Sequence, residues 1–271
     1  MNSKKLKGVI NMLRDGLCSS VKHVADELSI SRVSASRMID LLEDRGIAVK
    51  RENSRGYVLS PDIAAFILRV HKESCGIVVA RLDGNVLLRE KFDFLYSLSP
   101  AENVTSFCAT AKRYASSLQK RYEVIVPCCI YDSSALSVGA VLPAEYEKRM
   151  MRSELVSAAI GELCPEKMVL YVAARDGECF LTLCFGGAPV GDGKAFDFDI
   201  ESKDKVFDHI ASMLEILTPD AIFVDGECDL SIADLTDGKR IALIKHGLQN
   251  GIMLDEKEII SRICFDMMNQ K

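Results

Sequence analysis

The 271-residue sequence has no tryptophan, only four histidines, and no apolar run close to the roughly 18–20 residues that a membrane-spanning helix needs. The histidines, at positions 23, 71, 209 and 246, stand apart from one another. Neither a membrane span nor a histidine-rich zinc site is therefore expected. Low-complexity runs are also absent and 48% of the residues are hydrophobic, which predicts a chain that folds throughout.

The ten cysteines include no CxxC pair and no spacing typical of zinc ligands. Cys128 and Cys129 lie within the apolar run Val124–Ile130, which favours a reduced, buried strand over a redox switch. We expect core thiols in a reducing cytoplasm, with no bound metal and no cofactor. The first residues, MNSKKLKGVINML, lack the long apolar core and small-residue cleavage site of a signal peptide.

The stretch from Ser20 to Leu59 has the most regular pattern in the chain. Val21, Val24, Ala25 and Leu28 recur at three- and four-residue intervals, the spacing of one helical face. Ser20 is placed to cap this helix, Ser31 to cap a second one, and Gly46 to end the second. In the second helix, we expect an inward set and an outward set near the opposite face. The inward set is Val33, Met38, Leu41 and Leu42, and the outward set is Arg32, Ser34, Ala35, Ser36 and Arg37.

Two short strands are predicted after the second helix. Ile47, Val49, Tyr57 and Leu59 alternate with other residues around the polar tip 52–56. Two helices joined by a tight turn and followed by a basic hairpin predict a winged helix-turn-helix, which places its second helix in the DNA major groove. An earlier helix is predicted over Lys4–Arg14, with one apolar face formed by Leu6, Val9, Ile10 and Leu13.

Three spaced motifs in this stretch resemble the winged helix of biotin-repressor-type regulators. They are Leu28-Ser29-Ile30-Ser31-Arg32, Ile39-x-x-Leu42-x-x-x-Gly46-Ile47 and Arg55-Gly56-Tyr57-Val58-Leu59. The resemblance implies DNA binding, although winged helices also serve as protein-protein modules. Charge favours DNA, because residues 1–60 hold 11 Lys or Arg and 7 Asp or Glu (net +4), whereas the rest hold 23 and 32 (net −9).

From residue 63 onward the pattern is that of an α/β fold. Three strands, with a hairpin turn at Asp83-Gly84-Asn85, precede a helix at Ala101–Arg121 and a strand at Val124–Ile130. A second round of elements is predicted at Met151–Leu163, Met168–Ala174, Phe180–Phe185, Val206–Leu217, Ala221–Val224, Ile241–Lys245 and Asp255–Met268.

These elements predict two parts, the head (residues 1–62) and the body (residues 63–271). The body is expected to form two lobes, at about 63–148 and about 149–271. Ser60-Pro61-Asp62 is the only obvious linker, and it is short. The head should therefore be held close to the body.

Four stretches of the body resemble the ROK family, which pairs sugar kinases with repressors that carry an N-terminal winged helix. They are Ala80–Val86, Ser153–Glu162, Val169–Val172 with Gly177 beyond it, and Leu214–Gly226. The resemblance implies an α/β protein in which a winged helix-turn-helix precedes a two-lobed, actin-like (ribonuclease H-like) body.

The kinase residues that the resemblance implies are largely missing. ROK kinases carry Asp-x-Gly-Gly-Thr between the first two strands, where this sequence reads Arg69-Val70-His71-Lys72-Glu73. Side chains of that size would keep the backbone away from the phosphates. The second phosphate hairpin keeps one glycine, Gly177, and the Asn-Asp pair that carries the base matches Ser153-Glu154. We expect a catalytically inactive, kinase-like body.

The predicted function is sequence-specific DNA binding by a transcriptional regulator, most simply a repressor. Residues of the second helix would face base edges, and those of the first helix and the hairpin would contact phosphates. The expected DNA-contacting residues are Ser20, Lys22, Ser31, Arg32, Ser34, Ala35, Ser36, Arg37, Lys50, Arg51, Ser54 and Arg55.

The expected partners are double-stranded DNA with a palindromic operator and a second copy of the chain, whose body sets the spacing of the two heads. A small-molecule effector, a sugar or sugar phosphate, would bind in the cleft between the lobes if the protein has one. Two other interpretations stay open: a divergent but active ROK-family sugar kinase, and a scaffold whose winged helix binds protein.

Overall fold

The computed structural model describes residues 3–14, 19–52, 56–71, 74–131, 149–175, 178–190, 196–199, 203–226, 241–246 and 254–269. In these ranges three helices and a two-stranded hairpin are followed by two mixed α/β units, each built on its own sheet. No described helix is both long and apolar enough to cross a membrane.

The head contains the predicted elements in the predicted order. They are α1 (Ser3–Arg14), α2 (Val21–Glu27), α3 (Arg32–Asp44), β1 (Ala48–Lys50) and β2 (Tyr57–Leu59). The strands pair antiparallel, with Val49 opposite Val58. The predicted apolar face of α1 is buried.

Two serine caps and one glycine fix the helix ends. Ser20 Oγ accepts a hydrogen bond from His23 N at 3.2 Å at the start of α2, and Ser31 Oγ accepts one from Ser34 N at 3.1 Å at the start of α3. Each cap satisfies a helix N–H group that has no partner inside the helix. After α3, Gly46 has φ +67°, the left-handed conformation in which glycine avoids the strain of a side chain.

The inward face of α3 differs from the predicted one. Val33, predicted to face inward, is 61% exposed, and Ala35, predicted to face outward, is fully buried. The buried residues of α3 are Ala35, Met38, Ile39 and Leu42. Their spacing of three, four and seven residues follows the helical period, and Val33 falls outside it. The prediction placed the bulkier Val33 on the inward face, whereas the helical period places the smaller Ala35 there.

The first sheet of the body has the order β5-β4-β3-β6-β7. Its elements are β3 (Ile63–Val70), β4 (Ser74–Arg81), β5 (Val86–Asp93), α4 (Pro100–Leu118), β6 (Val124–Tyr131) and β7 (Arg149–Met151). β3, β4 and β5 pair antiparallel, whereas β6 pairs parallel to β3 and β7. The predicted turn after β4 is present: Gly84 has φ +90°, and Asn85 N donates to Asp83 Oδ1 at 3.0 Å.

The second sheet has the order β10-β9-β8-β12-β13, with β11 also paired to β9. The elements of this unit are α5 (Arg152–Leu163), β8 (Met168–Arg175), β9 (Glu178–Phe185), β10 (Ala188–Pro189), β11 (Phe196–Asp199), α6 (Lys203–Ile216), β12 (Ala221–Gly226), β13 (Ala242–His246) and α7 (Leu254–Asn269). β12 is parallel to both of its neighbours, β8 and β13. The first sheet takes in Arg149–Met151, so the two sheets divide slightly beyond residue 148.

One continuous apolar core joins the head to the body. It contains residues from α1, α2 and α3, from the face of the first sheet that includes Ile67 and Val78, and from α7. The α7 members are Ile259, Ile260, Ile263, Cys264 and Met268. The helix α7 therefore packs against the head. The short linker at residues 60–62 predicts only that the head lies close to the body, and does not indicate which element it contacts.

Candidate nucleic-acid interface

The first turns of α3 present exposed cations. Arg32 and Arg37 are exposed, as are the cap Ser31 and the apolar Val33 between the two arginines. These side chains lie at the N-terminal end of the helix, where unpaired N–H groups give a partial positive charge. This end of α3 is therefore suited to contact an anionic partner.

The serines of α3 already have hydrogen-bond partners. Ser31 Oγ and Ser34 Oγ lie 2.9 Å apart, so these hydroxyls support the cap. Ser36 Oγ donates to Asp40 Oδ2 at 3.3 Å, one turn farther along. Ser36, which is expected to face base edges, therefore already has a carboxylate partner within α3.

Ala35 requires a correction. It was expected to face bases, but its side chain is fully buried in the core of the head. An alanine there lets α3 pack closely against its neighbours, because a methyl group needs little space. Ala35 therefore supports the position of α3 and is not part of its outer face.

Further cations lie on α2 and the hairpin. Lys22 is exposed in the first turn of α2, and Lys50 and Arg51 are exposed where β1 ends. Backbone hydrogen bonds in both directions between Ser19 and Tyr57, at 3.2 and 3.1 Å, tie the residues before α2 to β2. These bonds fix the hairpin beside α2. Ser54 and Arg55, both predicted contacts, lie outside the described residues.

Charge changes sign along the outer side of α3. Arg32 and Arg37 precede three exposed acids, Asp40, Glu43 and Asp44. Burial, together with the negative charges of Glu43 and Asp40, raises the pKa of Tyr57 on β2. Only the first half of α3 is therefore electrostatically suited to lie against a phosphate backbone.

Other head cations bind the body. Lys7 Nζ lies 2.8 Å from Glu258 Oε1 and 2.9 Å from Glu162 Oε1, linking α1 to α7 and α5. Burial lowers the pKa of Lys7, but the hydrogen bonds and charges of these two carboxylates outweigh it and raise the pKa overall. Arg14 Nη1 donates to Ser261 Oγ at 2.6 Å and to the Lys257 carbonyl at 3.0 Å. No local pattern in the sequence indicates this junction, and only the opposite net charges of head and body are consistent with it.

The segment that matches the first phosphate loop of the kinases is occupied by buried charged groups. Arg69 is 6% exposed, and its Nη1 lies 3.6 Å from Glu256 Oε1 on α7. Glu256 is fully buried, and its Oε2 also accepts a hydrogen bond from Arg89 Nη2 at 2.8 Å. His71 is buried as well, whereas Lys72 and Glu73 lie outside the described residues.

The positions that match the catalytic base lie at the start of α5. Ser153 is 1% exposed, and Glu154 is exposed in the first turn of α5, where a carboxylate stabilises the helix dipole. Beside them, the Arg152 guanidinium lies 3.9 Å from the centroid of the Phe180 ring on the second sheet. The second phosphate hairpin, at Asp176 and Gly177, lies outside the described residues.

Asp225 anchors the start of α7 to the second sheet. Its Oδ2 accepts hydrogen bonds from Leu254 N at 2.7 Å and from Tyr171 Oη at 2.9 Å. α7 thus contacts the second sheet at Asp225, the first sheet through Glu256, and the head through Glu258 and Ser261.

No protein-family model and no curated protein matches the chain. Solved structures do match. The crystal structure of a ROK family transcriptional regulator, described as a homologue of the E. coli MLC protein, has 8% identity and a TM-score of 0.60, covering 98% of each chain. This likeness shows a common mixed α/β fold over almost the whole length.

Two other solved structures are less similar. A protein from Bacteroides thetaiotaomicron VPI-5482, described as having an actin-like ATPase fold and unknown function, has 10% identity and a TM-score of 0.43, covering 73% of this chain and 95% of its own. An inorganic polyphosphate/ATP-glucomannokinase from Arthrobacter sp. strain KM has 16% identity and a TM-score of 0.41, covering 77% of this chain and 100% of its own.

Proposed function

We propose that this chain is a sequence-specific DNA-binding transcriptional regulator of the ROK family, most simply a repressor. Its head would be a winged helix-turn-helix, with α3 in the major groove and the β1–β2 hairpin against the backbone. The observation that carries the proposal is the exposed basic first half of α3, with Lys22, Lys50 and Arg51 nearby, on an otherwise acidic protein.

The proposed contacts divide by what they can recognise. Arg32 and Arg37 would face base edges, with an arginine–guanine pair as the principal specific contact. Ser20, Lys22, Lys50, Arg51, Ser54 and Arg55 would contact phosphates and fix the position of the head on the duplex. Ser31 and Ser34 would act through the cap that holds the first turn of α3.

The body would serve as the dimerisation and sensor part of a cytoplasmic protein. Two copies would place their heads on half-sites about one helical turn, or a multiple of it, apart on a palindromic operator. A sugar or sugar phosphate bound between the two sheets would act by favouring one dimer geometry, which requires unequal affinities for the two states.

The test is binding of the full chain to random duplex DNA over a salt series, followed by sequence selection on the bound fraction. We expect a steep loss of affinity with salt and an enriched palindrome. Arg37→Ala should weaken binding about 5-fold to 150-fold and relax one base-pair preference, whereas Lys50→Ala should weaken all sequences alike and lower the salt slope by about 1. Arg113→Ala, an exposed arginine on α4, is the matched control and should change nothing.

Flat, weak binding without an enriched sequence would refute the proposal and favour the protein-binding scaffold. Two further measurements test the body. Sedimentation should give a dimer, and incubation with ATP and a panel of sugars should give no sugar phosphate. Turnover in that assay would replace the inactive body with the alternative of an active ROK sugar kinase.

A further inference from the structure

Val33 is an unusual residue on the outer side of α3. It is 61% exposed, and it is the only large hydrophobic residue among the described residues of the head that stands out as exposed. It occupies the first turn of the helix, directly after Arg32 and four residues before Arg37, both of which are exposed. A β-branched apolar side chain gains nothing from water there and has a modest helix propensity.

Helical geometry puts Val33 and Arg37 side by side. Residues four apart lie on the same face, with Cβ atoms about 5–6 Å apart. Asp40 and Asp44 continue this face, and their negative charges exclude the later turns from contact with DNA. Val33 and Arg37 are therefore the two residues on this face of α3 that are suited to contact the groove.

The chemistry of the major groove provides one apolar feature for such a residue. Thymine presents a C5 methyl group there, whereas guanine presents the N7 and O6 acceptors that an arginine binds with two hydrogen bonds. Successive base pairs are about 3.4 Å apart, so side chains about 5–6 Å apart reach positions one or two base pairs apart.

We propose that Val33 is a specificity-determining residue that reads the C5 methyl group of a thymine lying one or two base pairs from the guanine read by Arg37. This inference rests on the proposed DNA-binding function and adds a recognition element to it. The surrounding cations favour DNA over an apolar protein partner as the occupant of this surface.

The test uses the duplex obtained by sequence selection with the full chain. Each thymine is replaced in turn by deoxyuridine, which lacks only the methyl group. For the wild-type protein we expect one thymine in each half-site, beside a guanine, at which replacement weakens binding about fourfold to tenfold. Val33→Ser should bind the thymine and deoxyuridine duplexes equally, and Val33→Ala should give a smaller difference than wild type.

Leu95→Ser is the matched control, because Leu95 is 62% exposed and belongs to the body. This variant should keep the wild-type preference for thymine. Selection of a specific sequence with no sensitivity to deoxyuridine, or a sensitivity that persists in Val33→Ser, would overturn the inference and leave the DNA-binding function intact. Failure to select any sequence would overturn both.

Discussion

Glu256 allows a quantitative test of the structure, because its carboxylate is fully buried between two arginines. It lies 2.8 Å from Arg89 Nη2 and 3.6 Å from Arg69 Nη1. Glu256→Gln keeps the shape and removes the charge. Unit charges about 4 Å apart attract by about 4 kcal/mol at an effective dielectric constant of about 20. Removing one partner of a buried pair costs about 3–5 kcal/mol, because the remaining charge stays buried.

The partial exposure of Arg89 places the expected loss of stability near the lower end of that range. The Arg89 side chain keeps 18% of its surface exposed, so water can solvate part of its charge, but Arg69 keeps only 7%. We therefore expect Glu256→Gln to lower the free energy of unfolding by about 3 kcal/mol. The assay is urea unfolding of the full chain followed by circular dichroism, with stability from linear extrapolation.

Asp93→Asn is the control for this measurement. Asp93 is 3.7 Å from Lys91 in a solvent-exposed pair, and its loss should cost about 0–1 kcal/mol. Replacing the whole cluster with apolar residues (Arg69→Met, Arg89→Met, Glu256→Leu) should recover most of the lost stability, because none of its three members then leaves a buried charge without a partner. A loss of stability in Glu256→Gln no larger than that in Asp93→Asn would contradict a buried, paired Glu256.

Three further predictions concern backbone packing, capping and thiol reactivity. A methyl group on Gly161 of α5 would lie 2.3 Å from Gly187 Cα, so Gly161→Ala should destabilise the protein by about 1–3 kcal/mol in urea unfolding. The control is Gly8→Ala, whose methyl group would meet only the flexible end of the Leu28 side chain. Its stability should stay within about 1 kcal/mol of wild type. Ser31→Ala should lower the free energy of unfolding by about 1 kcal/mol, because it removes the cap of α3. Ser31→Asp should restore the cap and the stability but weaken DNA binding, because its negative charge would lie near phosphates. Equal DNA binding by both variants would contradict the proposed position of this turn. Burial raises the pKa of the Cys264 thiol to about 12, so at pH 8 iodoacetamide should label this residue only after the protein unfolds. Peptide mass spectrometry measures the labelling. Rapid labelling of the native protein would contradict the burial of Cys264.

The sequence predicted those parts of the fold that depend on neighbouring residues. The caps at Ser20 and Ser31, the hairpin turn at Asp83-Gly84-Asn85 and the buried strand at Cys128 and Cys129 are local patterns, and the structure contains them. Which side of α3 faces inward could not be predicted from the size of its apolar side chains alone. Its inward face follows the helical period through Ala35, and the larger Val33 lies outside that period.

Contacts between distant segments had no local signal. Lys7 and Glu258 are 251 positions apart, and Arg14 and Ser261 are 247 positions apart. The sequence predicted a helix at Asp255–Met268, but no pattern in it specified that this helix would pack against α1. Glu256 likewise reads as an ordinary acid in the first turn of a helix, although Arg69 and Arg89 surround it in the fold.

The charge difference between head and body therefore has two physical roles. Lys7 and Arg14 bind α7 and α5, so two of the 11 cations within residues 1–60 hold the head against the body. Apart from these two, residues 1–60 hold nine cations beside 7 acids, a nearly balanced count that by itself gives little reason to expect a nucleic-acid partner. The stronger argument is the separation of charge within α3, where Arg32 and Arg37 occupy the first turns and Asp40, Glu43 and Asp44 the later ones. This polarity would favour insertion of the N-terminal end of α3 into a groove between phosphates, because its cations would lie nearest the DNA and its acids farthest from it.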